Sequence, residues 1–264
     1  MKKFTLASLI LALLMSAFAG CALLEPKIEE VPTDEVYSFV NPVKTKAEPD
    51  TGFVIDGIYD EDAYQNNAWL NLSNNSGGNQ VDIAMTTHFG EQGMYFIFDV
   101  TESGGIYVNP SRSSTLNSCI EFYLAPAGTK NHKENNFFEI DLVPDGTMSF
   151  KRSNGKDGYI IATSMDSIMA QLGVTTKGGP INTEECYGYV LECFIPWAYM
   201  EWLGVDVDMM KQYALVDPAH ITSFNYDGKN GSIDRYWYAF ISQKGVAWAD
   251  VANYYKFGAE GYIG

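Results

Sequence analysis

The sequence predicts an all-β protein: a jelly-roll-like sandwich of two antiparallel sheets with a few short helices. Three observations lead there. After residue 52, apolar side chains recur at every second position, turn signals separate these stretches at short intervals, and no strand–helix–strand rhythm appears. Aromatics make up 14%, led by 17 Tyr and 15 Phe, which suit a pleated surface. Hydrophobic residues at 46% supply a core and exclude global disorder.

The elements follow in order. Lys2 and Lys3 precede an apolar run from Leu6 to Phe18, and Ala19-Gly20-Cys21 closes it. Residues 1–20 therefore read as an export signal, shorter than the roughly 20 apolar residues of a membrane span. Phe18-Ala19-Gly20-Cys21 resembles a bacterial lipobox, with Phe18 where Leu is usual; the resemblance implies lipidation of Cys21 and an extracytoplasmic, membrane-anchored protein. The competing reading is ordinary cleavage with Cys21 incidental. Residues 21–50 carry Pro26, Pro32, Pro42 and Pro49 among Glu29, Glu30, Asp34 and Glu35, the composition of a disordered acidic tether.

Residues 51–264 read as one domain without internal repeat or linker. Val81–Met85, Met94–Val100, Ile120–Leu124 and Phe138–Leu142 alternate cleanly. Further strands are expected at Tyr159–Thr163, Tyr187–Ile195, Tyr213–Asp217, Ile221–Tyr226, Trp237–Ile241 and Gly258–Ile263. Gly90-Glu91-Gln92-Gly93, Pro144-Asp145-Gly146, Asn154-Gly155 and Asp227-Gly228 supply turns. Helical segments are expected around Asp60–Leu70, Asp166–Leu172 (closed by Gly173) and Trp197–Leu203. Cys119, Cys186 and Cys193 allow one disulfide with one thiol left over, or three small buried hydrophobes.

Thirty-three acidic against 17 basic residues give a net charge of −16, which excludes a nucleic-acid backbone as partner. His88, His132 and His220 are scattered, and no nucleophile triad or phosphate-binding glycine loop is present. Paired carboxylates raise glycoside hydrolysis, yet so many acids make such pairs by chance. On the period of two, Glu121 and Tyr123 share one strand face, and Glu139 and Asp141 share one face of the next. If those strands pair, three carboxylates and a phenol converge; the alternative is a solvated acidic sheet face. Glu192, between Val190 and Phe194, reads as a buried, hydrogen-bonded acid. Trp69 and Trp197 sit among apolar neighbours and read as core. Trp237 reads as a core anchor or a platform, and Trp248 lies in a loop-like context.

Several stretches, taken together, resemble the family 9 carbohydrate-binding modules and the wider DOMON-like superfamily. They are Ile55-Asp56-Gly57 with Asp60, Glu61, Ala63 and Trp69; Met94–Glu102; Asn117–Leu124; Asn136–Asp141 followed by Gly146; Tyr189–Pro196; and Arg235 with Trp237, then Phe257-Gly258. The resemblance covers nearly all of residues 52–264. It implies a non-catalytic module that binds oligo- or polysaccharide by stacking sugar on tryptophan and reading hydroxyls with polar side chains. Trp237 matches one family tryptophan. The other position, six residues before Glu121, holds Thr115, and a family arginine falls nearest Glu139, so the fold carries over better than the ligand. The resemblance also implies structural calcium, with Asp56, Asp60 and Asp62 as oxygen donors. The expected ligand-binding set is Trp237, Trp248, Glu121, Tyr123, Glu139 and Asp141. The alternative from another class is a protein-interaction or adhesion module that keeps the fold without a sugar site.

Overall fold

Where side chains alternate apolar and polar, a strand buries one face; the chain does this often enough to build two sheets around a shared core. The computed structural model describes residues 47–75, 79–155, 159–161, 168–224, 235–240 and 249–264, and residues 44–264 form one compact unit. The smaller sheet holds β1 (Leu70–Asn74), β2 (Val81–Phe89), β3 (Gly93–Glu102), β8 (Gln171–Lys177) and β9 (Gly188–Pro196) in the order β1-β2-β3-β9-β8. The larger holds β4 (Cys119–Pro126), β5 (Phe138–Leu142), β6 (Met148–Ser153), β7 (Tyr159–Ile161), β10 (Ala214–Ser223), β12 (Tyr255–Gly258) and β13 (Gly261–Tyr262). Its order is β13-β12-β10-β4-β5-β6-β7, and β11 (Arg235–Ala239) also pairs with β10. Every ladder is antiparallel, as the sandwich reading requires.

The core lies between the sheets. Phe96 and Phe98 of β3 meet Phe122 of β4 at ring-centroid distances of 5.3 and 5.2 Å. Ile120, Leu124, Phe138, Ile140, Leu142 and Phe150 complete the inner side of the larger sheet, against Leu191, Cys193 and Ile195 of β9. One polar pair shares this interior. Glu102 and His220 are both fully buried, with Oε2 and Nε2 3.4 Å apart. Burial pushes the glutamic acid up to about 8 and the imidazole down to about 3, so both are neutral at pH 7.

The outer face of the smaller sheet is closed by the N-terminal segment. Phe53, Ile55, Tyr59, Tyr64 and Trp69 pack over Tyr95, Ile97, Val190 and Phe194. Glu192 lies fully buried beneath, as its strand position implies. Its Oε2 accepts the backbone N–H groups of Asp56 and Gly57, and its Oε1 accepts the Tyr64 hydroxyl at 3.0 Å. Burial and Glu61 raise its pKa to about 7 despite these donors. The approach needs glycines on both sides. A Cβ on Gly57, whose φ is +83°, would sit 2.6 Å from the β8 backbone, and one on Gly173 would sit 2.4 Å from Gly57 N.

Several sequence expectations change. The helix expected around Asp60–Leu70 shrinks to α1 (Asp62–Gln65), and Leu70 opens β1. In the helix expected at Asp166–Leu172, residues 162–167 lie outside the described residues, while Gln171 and Leu172 belong to β8, which Gly173 continues rather than caps. Helix α2 (Trp197–Trp202) forms as expected, and α3 (Val207–Gln212), capped by Asp206 accepting from Met209 N, was not anticipated. The strands expected at Tyr213–Asp217 and Ile221–Tyr226 meet in one strand, β10 (Ala214–Ser223), running through Pro218, and residues 225–226 lie outside the described residues. Proline is tolerated there because β12 pairs with 214–216 and β11 with 219–223, leaving Pro218 between them. Gly258–Ile263 is a hairpin of β12 and β13 rather than one strand. The three described cysteines form no disulfide and are buried, the small-hydrophobe reading.

Gly57→Ala strains the left-handed backbone and pushes the N-terminal segment off β8. Urea denaturation is expected to show one cooperative transition in both proteins, with the variant less stable by roughly 1–3 kcal/mol.

Candidate functional site

The register of four strands assembles the site. On β4, Ile120, Phe122 and Leu124 point into the core, so Glu121 and Tyr123 face outward. β5 sets Asp141 opposite Glu121 and Glu139 opposite Tyr123. β6 then sets Lys151 opposite Glu139, and β10 sets Asp217 opposite Tyr123. The convergence expected from period two therefore occurs. Two members were missed: Lys151, because β6 was not recognised as a strand, and Asp217, because its segment was read without its partner. The turn Pro144-Asp145-Gly146 carried the signal for Lys151, since folding β5 back across it brings residue 151 to residue 139.

The side chains are interlocked. Tyr123 donates its hydroxyl to Glu121 Oε1 at 2.9 Å, and Ser114, in a 3-10 turn just before β4, donates to Asp141 Oδ2 at 2.6 Å. Lys151 Nζ pairs with Glu139 Oε1 and lies 3.3 Å from Asp141 Oδ2. The Tyr123 ring stacks on Phe137 at 5.6 Å, with Tyr254 6.5 Å away. All four acids are buried, and the most accessible polar edge is formed by Lys151 and Glu139, whose side chains are 19% and 11% exposed. One oxygen from each of Glu121, Glu139 and Asp141 lies within 4.8 Å of the others, a grouping that can hold a metal ion.

Crowding sets the protonation. Burial, then Glu139 and Asp141, raise Glu121 to about 7, against the pull of Tyr123 and Lys151. Burial and Glu121 raise Asp217 to about 8. Burial works against charge on Lys151 too, but Asp141 and Glu139 outweigh it and its pKa rises.

Trp237 faces the same way. It pairs with Ile221 of β10, which pairs with Cys119 of β4, two residues from Glu121. At 40% exposure it stands at the surface rather than in the core, whereas Trp197 is buried and donates Nε1–H to Gly90 O at 3.0 Å. Trp69 is half-buried against the N-terminal segment. Trp248, Cys21 and residues 22–46 of the tether lie outside the described residues; its last residues, 47–50, are described, and Asp50 Oδ2 accepts the Tyr95 hydroxyl at 2.9 Å. Asp56, Asp60 and Asp62 do not form a carboxylate grouping of the kind made by Glu121, Glu139 and Asp141. Asp56 Oδ1 instead accepts Ile58 N at 2.8 Å. The residues present do not fit a three-aspartate calcium set.

A separate cleft of about 240 Å³ opens on the smaller sheet, lined by Tyr59, Tyr64, Gln65, Trp69, Ala84 and Asp99. Both Asp99 oxygens are taken there, one by the Tyr59 hydroxyl at 2.8 Å and one by Lys177.

With this geometry in place, comparison with solved structures is informative about the fold. A family 9 carbohydrate-binding module from Caldicellulosiruptor kristjanssonii, in complex with cellotriose, superposes with a TM-score of 0.50 at 10% identity, covering 78% of this chain and 88% of that one. A glucose complex of a family 9 module from the same organism gives 0.47 at 11%, covering 78% and 90%. Neither a family model nor a curated protein sequence matches the chain. The chain thus has the sandwich fold of a family 9 carbohydrate-binding module.

The buried acids bind their protons more tightly in the folded than in the unfolded chain. Their stabilising contribution is therefore full below their unfolded values near 4 and is lost as pH rises through about 7 to 8. His220 is neutral in both states above 6.5 and does not act in that window. In chelator, stability is expected to fall between pH 6.5 and 8.5. Asp217→Asn should flatten that slope and be the more stable protein at pH 8.5, by roughly 1–3 kcal/mol in denaturant titrations.

Proposed function

We propose that the body binds saccharide without catalysis at the outer face of the larger sheet, and that a lipid on Cys21 holds it outside the cytoplasm at the membrane. One observation carries the reading: the cross-strand register that collects Glu121, Tyr123, Glu139, Asp141 and Lys151 on a face whose margin carries exposed Trp237. Carboxylates accept from adjacent sugar hydroxyls, an ammonium donates to them, and an indole face suits the apolar C–H side of a pyranose. The Glu139–Lys151 pair supplies an acceptor and a donor at the exposed edge. Lys151 stands beside the position where the family's arginine falls nearest, and so offers the cationic donor from the neighbouring strand.

The partners of the acids support binding over hydrolysis. A glycosidase pair needs its carboxyl groups about 5–10 Å apart, with one kept free to transfer a proton. Here each acid already has a partner: Glu121 takes the Tyr123 hydroxyl, Asp141 the Ser114 hydroxyl and Glu139 the Lys151 ammonium. The fold shared with the cellotriose-bound module supports the same reading.

A glycan array with the protein is expected to return hits of modest affinity, on the order of 10 μM to 1 mM. Trp237→Ala should weaken them about ten- to thirtyfold while leaving the melting temperature unchanged, because the ring is exposed; Glu121→Gln should weaken them less. Unchanged binding in a folded Trp237→Ala protein would place the platform elsewhere. An array with no hits would leave the protein-interaction reading. In a separate test, Cys21→Ser should move the protein from the membrane fraction to the soluble one, since two acyl chains anchor durably. Mass spectrometry finding an unlipidated mature N-terminus in the wild type would end the anchor claim.

A further inference from the structure

The outer face of the larger sheet gathers more carboxylate than its protein partners balance. Glu121, Glu139 and Asp141 bring one oxygen each within 4.8 Å. Asp217 stands opposite Tyr123 on the same face, a diagonal neighbour of Glu121 and within reach of it. Among the described residues, the cation paired with these four acids is Lys151, which takes Glu139 and the Oδ2 atom of Asp141. Asp141 Oδ2 also accepts from Ser114.

A second observation is independent of that clustering. Asp141 Oδ1 and Asp217 Oδ1 are buried and have no hydrogen-bond partner, on side chains that are 0% and 1% exposed. Buried carboxylate oxygens in folded proteins nearly always have a donor or an ion, because leaving one bare forfeits its hydration with nothing in return. Asp141 stands on β5 directly opposite Glu121, and Asp217 stands on β10 diagonal to it.

The donor set points to the kind of ion. It is made of oxygens alone, all on carboxylates, with the Ser114 hydroxyl beside them. Soft or borderline metals prefer thiolate and imidazole, whereas calcium takes six to eight hard oxygens and accepts irregular geometry. Cys119, the nearest thiol on this strand face, is packed with Val108, Val143 and Ile221 instead.

We propose that this face binds one divalent cation of the calcium class through Glu121, Glu139 and Asp141, with Lys151 competing for the carboxylates of Glu139 and Asp141. The site is distinct from the aspartates near residue 60, and it stands whether or not the face also takes saccharide. The competition gives the proposal its own signature. An ammonium and a calcium ion share Glu139 and Asp141, so removing the ammonium vacates acceptors for the ion.

The test uses the full chain in detergent, stripped with chelator and titrated with calcium chloride by calorimetry. Terbium is the parallel probe, read by luminescence sensitised through nearby aromatic rings. The expected result is one ion per chain, with a dissociation constant on the order of 0.1–1 mM, and a melting temperature that rises with calcium. Asp141→Asn and Glu121→Gln should each weaken binding at least tenfold, and Lys151→Met should strengthen it at least threefold. The variants move affinity in opposite directions, so loss of fold in one leaves the other as the readout. No calcium heat and no terbium signal up to 10-fold above about 1 mM in the wild type would overturn the proposal. Binding indifferent to Asp141→Asn and Glu121→Gln, or weakened by Lys151→Met in a folded protein, would overturn it equally. No glycan is present in any arm, so the outcome is separate from that of the saccharide reading.

Discussion

The pairing of β4 with β5 in a single register is the constraint on which the rest depends. Glu121 against Asp141 and Tyr123 against Glu139 fixes Phe122 against Ile140 on the opposite face. A slip of one residue would turn Phe122 away from Phe96 and Phe98 and drive carboxylates into the core, so the apolar packing selects the register and the register collects the acids. Core and site are two sides of the same strands. The neighbours inherit this frame: Lys151 reaches Glu139 because β6 pairs with β5, and Trp237 takes the outer side because β11 pairs with β10.

The two outer faces resolve buried charge in different ways. On the smaller sheet Glu192 is covered by the N-terminal segment and meets two backbone N–H groups and a phenol, a closed arrangement with no oxygen left for a ligand. On the larger sheet four acids meet one ammonium, one hydroxyl from Ser114 and one from Tyr123, and two oxygens go without. The first pattern is closed, whereas the second leaves buried acid oxygens without a donor and raises Glu121 to about 7 and Asp217 to about 8.

Much of this was legible in the sequence, and what was not has physical reasons. The strands with clean alternation (β2, β3, β4 and β5) were read directly, because each carries apolar core residues at every second position. The same alternation placed Glu121, Tyr123, Glu139 and Asp141 together. β6 and β8 were missed since Met148–Ser153 and Gln171–Lys177 mix half-buried polar residues on both faces and carry a weak period. β10 was split at Pro218 because local propensity sees the missing N–H and not the gap between β11 and β12 that tolerates it. Lys151 and Asp217 depend on pairing between strands, which a period within one strand does not report. The exposure of Trp237 depends likewise on its place on the outer side of β11.

The most direct test of the central claim, that the outer face of the larger sheet is the binding surface, is nuclear magnetic resonance of the chain with an array-identified oligosaccharide. Its five tryptophans give separate indole N–H signals. The Trp237 indole signal is expected to move on titration together with the amides of Glu121, Tyr123, Glu139 and Asp141. Shifts confined to Trp69 and the residues around Tyr59 and Asp99 would contradict it and place the sugar in the cleft on the smaller sheet.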